Sequence, residues 1–274
     1  MTITDRKGVP RCIFDAKEDR LSVSDQFELY HVREPSGHKD YLLRVPVGRN
    51  GSSKMSFEAD KLSFMAVASE RLEKTYQDYK HDPGVHIHYD WLFPELVDTF
   101  ISGPEQGNRQ MNLLTIRDAA ISDFVPMSEL QIRYNIDAKT CAWILGRFFK
   151  LQAFLEHVGG IFIFRADQVI LEPKAHRMVH LDWSYSDEVY HWDSVNRAAF
   201  SMSYWLRLNG TPYEENFRDL LAYFNDSIEM RGEEAYKLLY KNIDEWWGRG
   251  YHPFTYFDKE RQIWRTLDDN SALL

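Results

Sequence analysis

His86 and His88 stand two residues apart in a short run, 85–89, that reads as a strand. Side chains two apart on a strand point the same way, so this pair could face a zinc ion. No third or fourth ligand follows at metal-site spacing, and no metal site is assigned. A nucleophile is equally absent, since neither Gly-x-Ser-x-Gly nor a Cys/His arrangement occurs. The remaining chemistry-bearing residues are charges set into apolar runs. Val179-His180-Leu181-Asp182-Trp183-Ser184 ends an apolar strand in an aspartate, and Tyr41-Leu42-Leu43-Arg44-Val45 places an arginine within another. On residue type alone, Asp182 caps a turn, Arg44 is a solvated strand residue, Arg165 holds its own loop and Glu58 is a helix-face charge.

The elements that must position these groups follow from the hydrophobic pattern. Segments 27–32 and 41–47 are rich in β-branched and aromatic residues. Glu34-Pro35-Ser36-Gly37 between them supplies turn chemistry, which predicts a hairpin. Residues 56–79 place Leu62, Met65, Leu72 and Tyr76 at helical spacing, and Asp82-Pro83-Gly84 ends that helix. Strands are expected at 85–89, 97–101 and 111–116. Asp137 is an N-cap for a long helix whose near-all-round apolarity, from Cys141 to Val158, indicates burial, and Gly159-Gly160 stops it. A second hairpin, 168–172 with 178–182, and helices over 193–208, 215–228 and 233–247 complete the chain. His157 is expected to pack at the end of the long helix. At least one of Trp246 and Trp247 is expected in the core.

Composition sets limits on this picture. The 274 residues include 44% hydrophobic and 15% aromatic types, ample for a sizeable core and too rich in aromatics for a disordered chain. The net charge of −9 argues against a nucleic-acid partner and favours cationic or uncharged ones. Two cysteines, Cys12 and Cys141, form no disulfide framework and point to a reducing, cytoplasmic setting. The polar start of the chain has no apolar signal region, and no apolar run is long enough for a membrane span.

The sequence Phe154-Leu155-Glu156-His157-Val158-Gly159-Gly160, continuing through 161–171 to Asp182-Trp183-Ser184, resembles the centre of the protein kinase fold. In that family a long helix leads into a loop of the form H-R-D-L-x-x-x-N, and a hairpin then ends in D-F-G. The resemblance spans residues 20–250 and extends to bacterial kinase-like proteins with Asp-Trp in place of D-F-G. It places Asp182 at the metal-binding aspartate and Gln168 where the asparagine would be. Ile163 then occupies the catalytic-base position, where an isoleucine can accept no proton. Arg165 falls where many kinases carry a phosphate-contacting lysine. Arg44 stands in for the phosphate-binding strand lysine, with Glu58 as its ion-pair partner and Glu70 as the alternative. Asp193 matches a buried structural aspartate. It follows Asp182 by only 11 residues, far fewer than an ordinary activation segment needs. No glycine occurs in 21–34, so the Gly-rich phosphate loop is missing.

The resemblance implies an α+β, bilobal, protein-kinase-like fold. A small β-rich N-lobe with one helix (21–120) would follow an N-terminal extension (1–20). A mainly helical C-lobe with a truncated activation segment (121–274) would be joined to it near 118–126. The expected function is that of a pseudokinase: a catalytically impaired protein acting as a protein-binding or regulatory scaffold. ATP with magnesium would be retained at most as a structural ligand, and no membrane is involved. Phe162, Ile163 or Phe164 is expected to add apolar bulk to the cleft. Two rivals stay open, a divergent active nucleotide-dependent transferase using Asp182 as metal ligand, and a structural component of a larger assembly.

Overall fold

The computed structural model describes residues 1–23, 27–48, 51–84, 86–159, 164–183, 194–248 and 250–267. The positions of Ile163 and Asp193, and of Phe162 and Ser184, lie outside the described residues. The chain divides into two compact units, Met1–Phe124 with His180–Ser186, and Val125–Val179 with Asp187–Leu274. The α+β class expected from the sequence is the one observed. The first unit is β-rich with one long helix, and the second is mainly helical. Among the described residues no helix is long and apolar enough to cross a membrane.

The first unit holds β1 (Thr2–Thr4), β2 (Pro10–Ile13), β3 (Arg20–Val23), β4 (Phe27–Arg33), β5 (Asp40–Pro46), α1 (Gly51–Lys80), β6 (Glu95–Ile101) and β7 (Gln110–Thr115). Its described strands form one antiparallel sheet in the order β1-β2-β4-β5-β7-β6, with β3 also on β4. The predicted β4–β5 hairpin is present, pairing Phe27 with Pro46 through to Arg33 with Asp40. Gly37 sits at φ +76° in its turn, a conformation that costs glycine little, and donates to the Glu34 carbonyl at 2.8 Å. Strand β5 is buried along 42–46, so both of its faces are covered. Leu43 and Val45 join a core with Ile3, Cys12, Phe14 and Val32. Leu42 and Arg44 alternate to the other face, because successive side chains on a strand oppose one another. Helix α1 packs on β5, β6 and β7 through a buried stripe of Met55, Glu58, Ala59, Leu62, Met65 and Ser69.

The second unit contains β8 (Val125–Pro126), α2 (Met127–Arg133), β9 (Tyr134–Ile136), α3 (Ala138–Val158), β10 (Val169–Glu172), β11 (Arg177–His180), α4 (Ser194–Trp205), α5 (Glu214–Asp226), α6 (Gly232–Trp247), β12 (Thr255–Asp258) and β13 (Ile263–Thr266). Helix α3 is the centre of this unit and packs against α4, α5 and α6. Asp137 caps it as predicted, accepting from the Thr140 amide at 2.8 Å, and Gly159 ends it at φ +73°. The predicted hairpin is β10–β11, whose last residue, His180, leads directly to Asp182.

Three expectations fail. Residues 86–88 are not a strand: His88 is left-handed at φ 54°, and a single 3-10 turn follows at Tyr89–Trp91. The segment is held instead by ring stacking and by Glu73. His86 lies 5.1 Å from His88, His88 lies 3.9 Å from Trp91, and Glu73 accepts from the Ile87 amide at 2.8 Å. His157 is exposed, because it falls on the polar side of the last turn of α3. Trp246 and Trp247 are both half-buried rather than in the core. The Trp247 indole donates to the Pro212 carbonyl at 3.1 Å, which keeps that ring at the surface.

Candidate functional site

Arg44, Glu58 and Asp182 meet in the first unit. The β5–β7 register sets Arg44 opposite Asn112, and the stripe of α1 brings Glu58 over both. Asp182 arrives from the end of the β10–β11 hairpin. His180 anchors that end by donating its amide to the Leu92 carbonyl at 3.1 Å. Trp183 then turns back, with its indole donating to the His180 carbonyl at 2.8 Å and its ring edge on Phe93 at 6.2 Å.

The Arg44 guanidinium is 1% exposed, and all three of its nitrogens are engaged. Nη1 donates to the Leu181 carbonyl at 2.5 Å. Nε lies 3.3 Å from Glu58 Oε1, and Nη2 lies 3.0 Å from Asp182 Oδ1. These two are charge contacts that fall outside hydrogen-bond alignment. The Phe27 ring covers the guanidinium at 4.4 Å. Glu58 is fully buried and has further partners. Its Oε2 accepts from Asn112 Nδ2 at 3.0 Å, and its Oε1 faces the Trp183 amide at 3.4 Å. Asn112 also donates to the Met55 carbonyl at 2.9 Å, which ties β7 to α1.

Among the described residues, one positive charge therefore faces two carboxylates in a dry setting. Burial pushes the Glu58 carboxyl above the ordinary range. Arg44 pulls it down, Asp182 pushes it up again, and the Asn112 and Trp183 N–H groups pull it down. Glu58 consequently holds a proton more readily than a free carboxyl. Residue type alone makes Glu58 a helix-face charge and Arg44 a solvated strand residue. Both are instead among the most buried polar groups of the unit. Glu70, the alternative partner, is exposed.

The remaining site residues lie in the second unit. Arg165 forks onto Asp167, with Nε 3.1 Å from Oδ1 and Nη2 2.8 Å from Oδ2. Burial tends to raise the Asp167 carboxyl, but the Arg165 fork outweighs it and holds it below the ordinary range. Gln168 is buried, and its amide nitrogen lies 3.4 Å from Asp167 Oδ2. Phe164 is buried against Phe148 with ring centroids 4.4 Å apart. Asp167 and Phe27 carry no mark in the sequence pattern that singles them out as site residues, and Asn112 is missed as well. A signal for Asn112 is present all the same, as a lone amide inside the apolar strand Met111-Asn112-Leu113-Leu114.

A magnesium nucleotide does not fit this donor set as arranged. A hard cation needs carboxylate oxygens turned toward it, and Asp182 Oδ1 faces a guanidinium instead. A phosphate-gripping arginine presents two N–H groups along one edge, and the edges of Arg44 point at Glu58, Asp182 and Leu181. Among the described residues no group of three or more His, Cys, Asp or Glu side chains is placed to hold a metal.

No family model and no curated protein matches the chain in sequence. Among solved structures, the chain is similar to the crystal structure of the Mycobacterium tuberculosis PknI kinase domain. The TM-score is 0.47 at 10% identity, covering 81% of this chain and 93% of that one. A mutant form of the same domain gives a TM-score of 0.48 at 11% identity, covering 82% and 93%.

Proposed function

We propose that the chain is a kinase-like protein without phosphoryl-transfer activity, a pseudokinase that serves as a protein-binding or regulatory scaffold. The observation that carries this reading is the closed contact of Arg44 with Glu58, Asp182 and the Leu181 carbonyl. The two groups that would hold phosphate and metal hold each other. The sequence supports the same reading at Ile163, at the glycine-free stretch 21–34 and at the short interval before Asp193. Phosphoryl transfer relies on positioning and electrostatic stabilisation by such groups, so their mutual neutralisation removes the means of catalysis along with the base.

The test is a thermal-shift titration with ATP and magnesium or manganese. A ligand at 100 times its dissociation constant adds about 2.7 kcal/mol to native stability. No shift at millimolar ATP is expected. A shift that Asp182→Ala abolishes, together with phosphoryl transfer that needs Asp182, would overturn the reading in favour of a divergent transferase.

A further inference from the structure

Helix α1 carries its buried stripe on one side and two bare apolar residues on the other. Phe64 is 55% exposed and Val67 59%, on a face where a helix packed on a sheet ordinarily carries polar residues. At about 3.6 residues per turn, they lie roughly half a turn away from Glu58, Leu62 and Met65. A lone exposed apolar side chain is ordinary, but these two are neighbours three apart on the helix.

A longer pattern contains them. Asp60, Phe64, Val67 and Arg71 follow one another at intervals of four, three and four residues. That spacing keeps one line of side chains facing a partner helix, as in the seam of a coiled coil. All four residues are exposed. The charges at the two ends are unmatched within the helix. No basic residue stands three or four positions from Asp60, and no acidic residue stands three or four positions from Arg71. The two are eleven residues apart, about 16 Å along the axis, too far to pair with each other. Among the described residues neither side chain forms an ion pair.

An antiparallel pairing of this seam with itself satisfies every position. Phe64 of one copy meets Val67 of the other, Asp60 meets Arg71, and each contact occurs twice about the two-fold axis. A parallel pairing would instead set Asp60 on Asp60 and Arg71 on Arg71. We propose that α1 is the contact surface for a second copy of this chain, joined as a two-fold antiparallel helix pair centred between Phe64 and Val67. The seam is short, so the dimer belongs to the weak class that buries less than about 1,200 Å² in total. The net charge of −9 on each copy opposes their approach, and physiological salt screens that repulsion. The surface lies on the reverse of the stripe that carries Glu58 and is independent of the pseudokinase reading.

The experiment is sedimentation velocity of the full chain from about 5 µM to about 500 µM at about 0.15 M salt. The native sequence is expected to pass from monomer to dimer over that range. Phe64→Ser is expected to stay monomeric, and the exposure of the site keeps the fold intact, as far-UV circular dichroism will register. Asp60→Lys and Arg71→Glu should each weaken the dimer by about tenfold or more, since the symmetry turns two attractive contacts into two repulsive ones. The double variant carrying both changes should dimerise again, and so should an equimolar mixture of the two single variants. A monomer at every concentration overturns the proposal. So does a dimer that Phe64→Ser leaves unchanged, or a double variant that pairs as weakly as the single ones.

Discussion

Replacing Arg44 with methionine keeps most of the side-chain length and removes the charge that holds Glu58 and Asp182. The substitution takes the arginine charge away from two buried carboxylates and removes a donor from the Leu181 carbonyl. Breaking a buried ion pair by removing one partner costs about 3–5 kcal/mol, whereas an exposed pair is worth about 0–1 kcal/mol. Arg44 at 1% exposure belongs to the first class. The pH dependence has a definite sign. The folded pKa of Glu58 lies above its ordinary value of 4.5, so the native state takes up the proton more readily. Its contribution to stability is full below pH 4.5 and is lost as pH rises through the folded value. Without Arg44 the folded value moves further up, because the attraction that most strongly opposes the effect of burial is gone. Arg44→Met should therefore be most destabilised at neutral and alkaline pH, with the deficit shrinking toward pH 4.5. Adding Glu58→Gln should restore part of the loss, and the free Asn112 Oδ1 can accept from the new amide. Urea unfolding by far-UV circular dichroism measures the totals, and hydrogen exchange at the Trp183 amide reports on the site itself. A loss under about 1 kcal/mol at pH 7 would refute the burial argument. A deficit constant from pH 5 to 8 would refute the electrostatic part of it.

Two further outcomes follow from the second unit. Burial lowers His176 from 6.5 to about 4, so its contribution to stability is present above pH 6.5 and is lost as pH falls through 4. The full effect is about 3 kcal/mol at 1.36 kcal/mol per pH unit. His176→Asn, which tolerates the residue's φ of 49°, should flatten the acid limb of the stability curve between those values; an unchanged slope would remove His176 as its cause. Gly232→Ala places a Cβ 2.5 Å from Gln152 Cγ and 2.7 Å from the Ala153 nitrogen where α6 meets α3. Overpacking of this kind costs about 1–3 kcal/mol, measurable by denaturant unfolding, and a neutral result would show that the helix pair can separate freely there.

The sequence was most legible where local chemistry and long-range packing agree. The turn at Gly37, the Asp137 cap and the Gly159 stop each act within a few residues, and each element lies close to where its pattern puts it. It was least legible in short edge strands. Arg20-Leu21-Ser22-Val23 and Ile263-Trp264-Arg265-Thr266 have too few alternating positions to stand out, and they become strands only because β4 and β12 offer them a partner. Residues 86–88 show the reverse error. Their alternation is real, but a left-handed His88 and the stacking on Trp91 override it. The candidate site was half legible. The kinase-like pattern named Arg44, Glu58 and Asp182, yet spacing cannot tell whether three charges face a ligand or one another. That outcome depends on how deeply Glu58 sits in the α1 stripe and on Asn112 waiting beneath it.

The identity of the cation at position 44 bears directly on this closure. A lysine ammonium is a single point on a flexible stem, and its three donors diverge from one atom. A guanidinium spreads its donors across a plane, and the plane here spans a carboxylate on α1, a carboxylate after β11 and the carbonyl between them. With Phe27 covering one face at 4.4 Å, the planar group is both stacked and enclosed, which an ammonium would not match. Arginine at this place keeps the sign of charge that a phosphate would need while supplying enough donors to make the ligand unnecessary. The loss of function proposed for this chain thus has two layers. In that proposal Ile163 would stand where a catalytic base is expected, and Arg44 gives the two acidic groups a structural partner. Glu58 and Asp182 have a structural task of their own here: without the pair of them, Arg44 would itself be a buried, uncompensated charge.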